Sequence, residues 1–93
     1  MTKVMLRIDE KGMIFFDCLN HCNDYTVCAI ISTLANVLVE ACYRAGHEPT
    51  IYNKGHVRID ISKAEYPTIE VFRVVDKGFR QVAEQYPDLI RIY

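Results

Sequence analysis

The chain has 93 residues, of which 51% are hydrophobic and 25% charged, and its formal net charge is -1. This length predicts one domain, residues 1–93, and the hydrophobic share excludes an intrinsically disordered chain. Because Lys and Arg are spread through the sequence, we expect no clustered basic surface and no direct nucleic-acid partner.

We expect a soluble, cytoplasmic protein without a membrane partner. The longest fully apolar run near the N-terminus is Met13–Phe16, far shorter than a bilayer-spanning segment, and no signal-peptide pattern precedes it. The four cysteines are predicted to be reduced thiols, because structural disulfides belong mainly to small secreted domains. They are Cys18, Cys22, Cys28 and Cys42.

The N-terminal segment predicts a β-hairpin. Residues Lys3–Asp9 alternate between apolar and polar, which is typical of a half-buried strand. A turn at Glu10–Gly12 leads into a second predicted strand, Met13–Leu19.

A long helix is predicted over Thr26–Ala45, which contains neither Gly nor Pro. Asp24 is a suitable N-cap, and Gly46 follows where a left-handed residue is expected. We expect this helix to be deeply buried, because its apolar residues cover more than half of its circumference. They are Ile30, Ile31, Leu34, Val37, Leu38, Ala41 and Cys42.

The C-terminal half predicts a second hairpin, a second helix and a closing strand. Strands over Thr50–Asn53 and His56–Ile61 flank a Lys-Gly turn. An amphipathic helix over Thr68–Tyr86 ends at a proline, and Leu89–Tyr93 follows as a short strand or extended tail. Its apolar stripe is Val71, Phe72, Val75, Phe79, Val82 and Tyr86. The order ββαββα(β) predicts an α+β domain with two long helices covering one or both faces of a mainly antiparallel sheet.

Cys28 is the first candidate for chemistry. It lies in the first turn of the long predicted helix, where free N–H groups lower the pKa of a thiol and could also form an oxyanion hole. His21, seven residues earlier, is the nearest base in sequence for a Cys nucleophile. The alternative is that Cys28 is an apolar helix residue and His21 a turn residue, which local spacing alone does not exclude.

A structural zinc site is a rival interpretation, because Cys18, His21, Cys22 and Cys28 are four soft ligands within eleven residues. Their spacing lacks a second tight pair, so we predict no metal and no cofactor. Cys42 is expected to pack in the core, and His47 and His56 to lie at the surface without a catalytic partner.

The segment Asn20-His21, followed by Val27-Cys28-Ala29-Ile30-Ile31-Ser32, resembles the ribosomal-processing cysteine protease family, Prp. That family's signature is Gly-His-Ala, a short flexible segment and Val-Cys-Ala-x-x-Ser. The order of the elements and the ending Tyr-Pro-Asp-Leu-Ile-Arg-Ile are similar as well.

The resemblance implies a homodimeric cytosolic endopeptidase without a cofactor. Its protein substrate would be a large-subunit ribosomal protein, or a similar phage protein, from which it removes an N-terminal extension. Cys28 would be the nucleophile, His21 the general base and acid, and Ser32 a supporting residue one helical turn further on. Ser32 could equally bond a helix carbonyl one turn back.

The chain departs from the family pattern in three places. Asn20 replaces the glycine before the histidine, and Cys22 replaces the alanine after it. The segment between His21 and Cys28 is shorter and has no glycine, and Tyr25 stands where an Asp usually precedes the cysteine by three residues. The alternative function is therefore a catalytically silent family member that acts as a protein-binding or scaffolding module.

Overall fold

The protein, described over residues 1–93 by a computed structural model, consists of a five-stranded sheet with two helices packed on one face. The elements are β1 (Thr2–Ile8), β2 (Ile14–Leu19), α1 (Tyr25–Arg44), β3 (Ile51–Asn53), β4 (His56–Ile61), α2 (Tyr66–Gln85) and β5 (Ile90–Ile92). The predicted α+β class and element order are confirmed, and every predicted bound lies within two residues of the observed one.

The strand order in the sheet is β3-β4-β2-β1-β5. All neighbouring pairs are antiparallel except β1 and β5, which are parallel, so the sheet is mainly antiparallel as predicted. Leu19, the last residue of β2, pairs with His56, the first residue of β4. This register brings the segment after β2 next to the turn between β3 and β4.

Strand alternation determines which face of the sheet the helices cover. On β2, Ile14, Phe16 and Cys18 are buried, whereas Phe15 and Asp17 between them are only partly covered. The Phe16 ring lies 5.6 Å from that of Phe79 on α2, measured between centroids. One apolar core therefore forms between this face and both helices, because the buried residues of all three make a single cluster.

α1 is less deeply buried than the sequence predicted. Ile30 is 38% exposed and Val37 43% exposed, although both were expected in the core. The prediction failed because a two-layer fold covers only one side of a helix, so the other side of α1 faces solvent. Its buried residues are Val27, Ile31, Ala35, Leu38, Val39 and Cys42.

By length and composition alone, α1 could cross a membrane, which the sequence analysis did not expect of any segment. The core helix of a water-soluble protein can meet the same criteria. In this fold the buried side of α1 packs in the shared core with the sheet and α2.

α2 begins at Tyr66, two residues before the predicted start. Pro67 lies in its first turn, where the missing N–H has no helical partner to lose. Phe72, Val75, Phe79 and Val82 are buried as predicted. Val71 and Tyr86, at the margins of the predicted stripe, are exposed.

Candidate functional site

An open cleft lies between the start of α1, the end of β2 and the β3–β4 turn. Its volume is about 540 Å³, and its lining includes the three residues that the resemblance singled out: His21, Cys28 and Ser32. The fold thus brings two residues of α1 and one residue of the β2–α1 connection to one surface depression. Its volume lies within the range of about 300–1,000 Å³ that is common for ligand pockets.

His21 is positioned by the residue before it. Asn20 has a φ of 72°, a left-handed conformation that Asn tolerates better than most residues. Its N–H donates to the Gly55 carbonyl oxygen at 2.8 Å, and its carbonyl oxygen accepts from Thr2 Oγ1 at 3.0 Å. The His21 ring consequently lies against the β3–β4 turn, where a Cβ on Gly55 would be 3.3 Å from His21 Nε2.

Cys28 lies in the first turn of α1, as predicted. Asp24 caps the helix: its Oδ1 accepts from Val27 N at 2.9 Å, and its carbonyl oxygen accepts from Cys28 N at 2.9 Å. The amides of Val27 and Cys28 are therefore already bonded. The unpaired helix-start donors left for an oxyanion are the amides of Tyr25 and Thr26.

The closest partner of the Cys28 thiol is Cys22, which the sequence analysis did not pair with it. The two Sγ atoms are 3.1 Å apart, and Cys28 Sγ also donates to the Cys22 carbonyl oxygen at 3.1 Å. Cys28 is not hydrogen-bonded to His21, although both side chains line the cleft. Cys22 itself is buried, and its Sγ lies 3.6 Å from the Asp24 carbonyl oxygen.

The pKa of the Cys28 thiol is raised above its ordinary value. The first cause is the hydrogen bond with the Cys22 thiol, and the second is partial burial; the negative charge of Asp24 adds a smaller effect. The direction is opposite to the one expected from the helix start alone. The prediction failed because it considered the helix amides but neither Cys22 nor the charge of the capping residue.

Ser32 faces the cleft one helical turn after Cys28. Its hydroxyl makes no hydrogen bond within the helix, whereas the neighbouring Thr33 Oγ1 donates to the Ala29 carbonyl oxygen at 2.9 Å. Of the two roles considered for Ser32, the structure therefore disfavours back-bonding to a helix carbonyl. The Ser32 hydroxyl is free to contact a ligand in the cleft.

One contact across the cleft had no clear signal in the sequence. The Tyr52 hydroxyl, on β3, donates to Asn36 Oδ1, on α1, at 2.9 Å. Both residues line the cleft, so this bond ties its two walls together at the end away from Cys28. The pair is sixteen residues apart, and neither periodicity nor a local motif predicts it.

His56 pairs with Asp17, a contact that the sequence does not predict. Its Nε2 lies 2.5 Å from Asp17 Oδ1, and both side chains are mostly covered. Asp17 alternates with the core-facing Phe16 and Cys18, so this pair lies on the face of the sheet that the helices leave uncovered. The pair therefore stabilises the β2–β4 pairing rather than contributing a base to Cys28.

The four side chains of the rival zinc interpretation do not gather at one point, although Cys22 and Cys28 are in contact. Cys18 faces the core from β2, and no group of three or more His, Cys, Asp or Glu side chains is arranged to hold a metal ion. Cys42 is fully buried in the core, as predicted. The arrangement near Cys28 is thus a pair of thiols beside an exposed imidazole.

Similar folds occur among solved structures. The ribosomal processing protease Prp of S. aureus, in complex with a covalently linked product peptide, superposes with a TM-score of 0.80 and 21% identity over 99% of this chain and 97% of that one. The same protease with a substrate peptide gives a TM-score of 0.73 and 19% identity, covering 100% and 98% of the two chains. SMU.848 from Streptococcus mutans gives 0.76 and 23%, covering 99% and 91%.

These similarities show that the chain has the fold of Prp over nearly its whole length. The fold implied by the sequence resemblance is therefore confirmed. No protein-family model matches the chain, and no curated protein matches it in sequence.

Proposed function

We propose that this chain is a Prp-like cysteine endopeptidase that uses Cys28 as nucleophile and His21 as general base and acid. The observation that carries the proposal is the presence of His21, Cys28 and Ser32 in one open cleft of a chain with the Prp fold. The Prp structures with a product or substrate peptide support a peptide as the occupant of this cleft.

The reaction would begin when His21 takes the Cys28 proton and the thiolate attacks the scissile carbonyl carbon. The C–S bond forms, and the C–N bond breaks as His21 returns the proton to the leaving amine. Water then hydrolyses the thioester. Because the His21 ring is exposed and engaged in no hydrogen bond, it can turn towards Cys28; such pairs are often loose without substrate.

The proposed substrate is a large-subunit ribosomal protein, or a phage protein, that carries an N-terminal extension. The proposal includes cytoplasmic action as a homodimer, as the resemblance implies. The second candidate, a silent binding or scaffolding module, is favoured by one observation: the Cys28 thiol is bonded to Cys22 and not to His21.

The test is cleavage of the extended ribosomal-protein precursor by the fully reduced protein, followed by mass spectrometry. We expect cleavage by the unmodified chain and a loss of at least about a hundredfold in Cys28→Ser and His21→Ala, since each removes a reacting group. His47→Ala is the matched control, because His47 is remote from this cleft, and it should retain full activity.

Cleavage that persists in Cys28→Ser would overturn the proposed nucleophile. Folded, reduced protein that cleaves neither a ribosomal nor a phage precursor, yet retains either precursor on an affinity column, would establish the binding module instead.

A further inference from the structure

Two thiols in this site lie close enough to form a bond with each other. Cys22 and Cys28 Sγ are 3.1 Å apart, and a disulfide S–S bond is about 2.05 Å long, so closure needs an approach of about 1 Å. Cys28 Sγ already contacts the Cys22 main chain at 3.1 Å, which holds it beside its partner. Cys22 comes from the segment after β2, and Cys28 from the first turn of α1. Asp24 contacts both parts: its carbonyl oxygen lies 3.6 Å from Cys22 Sγ, and its Oδ1 accepts from Val27 N.

The two thiols differ in access, and this difference assigns their roles. Cys28 is partly exposed and lines the open cleft, so a small oxidant in water reaches it. Cys22 is buried directly behind it and is only 6% exposed. The remaining thiols, Cys18 and Cys42, are buried in the core without a second thiol in contact.

We propose that Cys22 and Cys28 form a reversible disulfide when the protein is exposed to a peroxide, and that this bond inhibits cleavage by occupying the Cys28 sulfur. The Cys28 thiolate attacks one peroxide oxygen, the S–O bond forms, the O–O bond breaks, and the product is a Cys28 sulfenic acid. The Cys22 thiolate then attacks the Cys28 sulfur and displaces hydroxide. The two thiols together lose two electrons and two protons, and hydrogen peroxide becomes two water molecules.

A dithiol reverses the reaction by two exchange steps and is itself oxidised to a disulfide. Fast capture by Cys22 also prevents further oxidation of Cys28 to the sulfinic acid, which ordinary thiols do not reduce. The loss of activity rests on the proposed function, because only a nucleophilic Cys28 makes the disulfide inhibitory. Formation of the bond does not depend on it.

The experiment treats the reduced full chain with a small excess of hydrogen peroxide, blocks free thiols and maps the cysteines by mass spectrometry. We expect one intramolecular disulfide between Cys22 and Cys28, with Cys18 and Cys42 alkylated only after unfolding. Dithiothreitol should restore all four thiols. Cys42→Ala is the control variant and should form the same disulfide.

Cys22→Ser keeps a small polar side chain and removes the resolving thiol. In this variant we expect a Cys28 sulfenic acid that dimedone traps, followed by a sulfinic acid that dithiothreitol does not reverse. Alkylation of both Cys22 and Cys28 in peroxide-treated unmodified protein would overturn the proposal, as would a disulfide only between chains. Folding of each variant is checked by circular dichroism, and Cys22→Ala replaces Cys22→Ser if the latter is unfolded.

Cleavage of the extended precursor gives an independent outcome. We expect peroxide to reduce cleavage at least about tenfold in the unmodified chain and dithiothreitol to restore it, with no restoration in Cys22→Ser. A mapped disulfide in a chain that cleaves nothing when reduced would retain the thiol switch and reject the protease. A reduced chain that cleaves the precursor but forms no disulfide with peroxide would retain the protease and reject the thiol switch.

Discussion

The four cysteines have four different surroundings, although they are equivalent in composition. Cys42 is fully buried in α1, and Cys18 is buried on the core face of β2. Cys22 is buried but in contact with Cys28, which is the only one of the four that is not buried. Cys18 lines the same cleft as Cys28, but its side chain is only 7% exposed. Reactivity towards reagents in water should therefore be concentrated at Cys28, and the buried thiols should respond only when the fold opens.

The raised pKa of the buried Cys18 thiol predicts that the fold loses stability in alkaline solution. Burial, and to a lesser extent the charge of Asp17, raise its pKa from 9.0 to about 12. Between these pH values the folded chain holds a proton that the unfolded chain has released, so the free energy of unfolding falls as pH rises. One proton accounts for at most about 1.4 kcal/mol per pH unit.

The measurement is urea unfolding of the reduced protein from pH 8 to 11, beside a Cys18→Ala variant. The variant should lose stability with pH less steeply, because its alanine has no proton to release. Equal slopes in the two proteins would show that Cys18 does not titrate differently in the folded state.

The sequence predicted all three candidate site residues, His21, Cys28 and Ser32, but regular structure accounts for only two of them. Cys28 and Ser32 are four residues apart on a helix whose start Asp24 marks, so their common side follows from helical geometry. The contact between Cys22 and Cys28 depends on a turn that begins with a positive φ at Asn20. No periodicity governs such a turn, so the sequence does not predict the contact between the two thiols.

At the scale of elements, the start of α1 combines a structural and an electrostatic role in Asp24. The carboxylate accepts the Val27 N–H and so stabilises the helix, while its charge raises the pKa of Cys28. The two effects can be separated, because Asn caps a helix about as well as Asp but carries no charge.

We expect Asp24→Ala to lower the free energy of unfolding by about 1 kcal/mol, and Asp24→Asn to leave it nearly unchanged. Both variants should lower the pKa of the Cys28 thiol, which is measured as the pH dependence of its alkylation rate. An Asn variant as unstable as the Ala variant would contradict the capping role. An unchanged Cys28 pKa in both would contradict the electrostatic one.

Element bounds were predicted well where end signals were explicit and less well where they were not. Asp24 and Gly46 mark the ends of α1, and Gly46 has the expected positive φ of 85°. The observed start of α2 lies two residues before the predicted one, because Pro67 is accommodated in the first turn of the helix. The expected burial of Ile30 and Val37 was wrong, because hydrophobicity alone does not say how many layers a fold has.

At the scale of the whole molecule, the order of strands was not readable from the sequence. Local patterns predict the hairpins β1–β2 and β3–β4, but the pairs β2–β4 and β1–β5 join segments far apart in the chain. Those pairings depend on how α1 and α2 cross the sheet. The pairing of β2 with β4 also places His21, which follows β2, beside the β3–β4 turn.

Gly12 lies where two distant parts of the chain meet, so we expect even a substitution by alanine to lower the stability of the fold substantially. It has a φ of 85°, and a Cβ there would lie 2.8 Å from the carbonyl oxygen of Ala64, in the β4–α2 connection. Gly46 has the same φ, but a Cβ there would meet nothing within 4 Å. The pair therefore separates backbone strain from a steric clash.

We expect Gly46→Ala to lower the free energy of unfolding by about 1–2 kcal/mol through left-handed strain alone. Gly12→Ala should cost about 1–3 kcal/mol more, because backbone atoms must also move apart. Urea unfolding of both variants measures the difference. Equal losses of unfolding free energy in the two variants would mean that the β4–α2 connection at Ala64 moves aside without destabilising the fold.

The segment between β2 and α1 is held at both ends. Thr2 and Gly55 fix Asn20, and Asp24 fixes the beginning of α1, so only three residues lie between the two anchors. A ligand entering the cleft therefore meets walls that folding has already put in place. For a peptide that binds there as proposed, the protein would order little beyond the His21 ring, so the larger entropy cost would fall on the peptide.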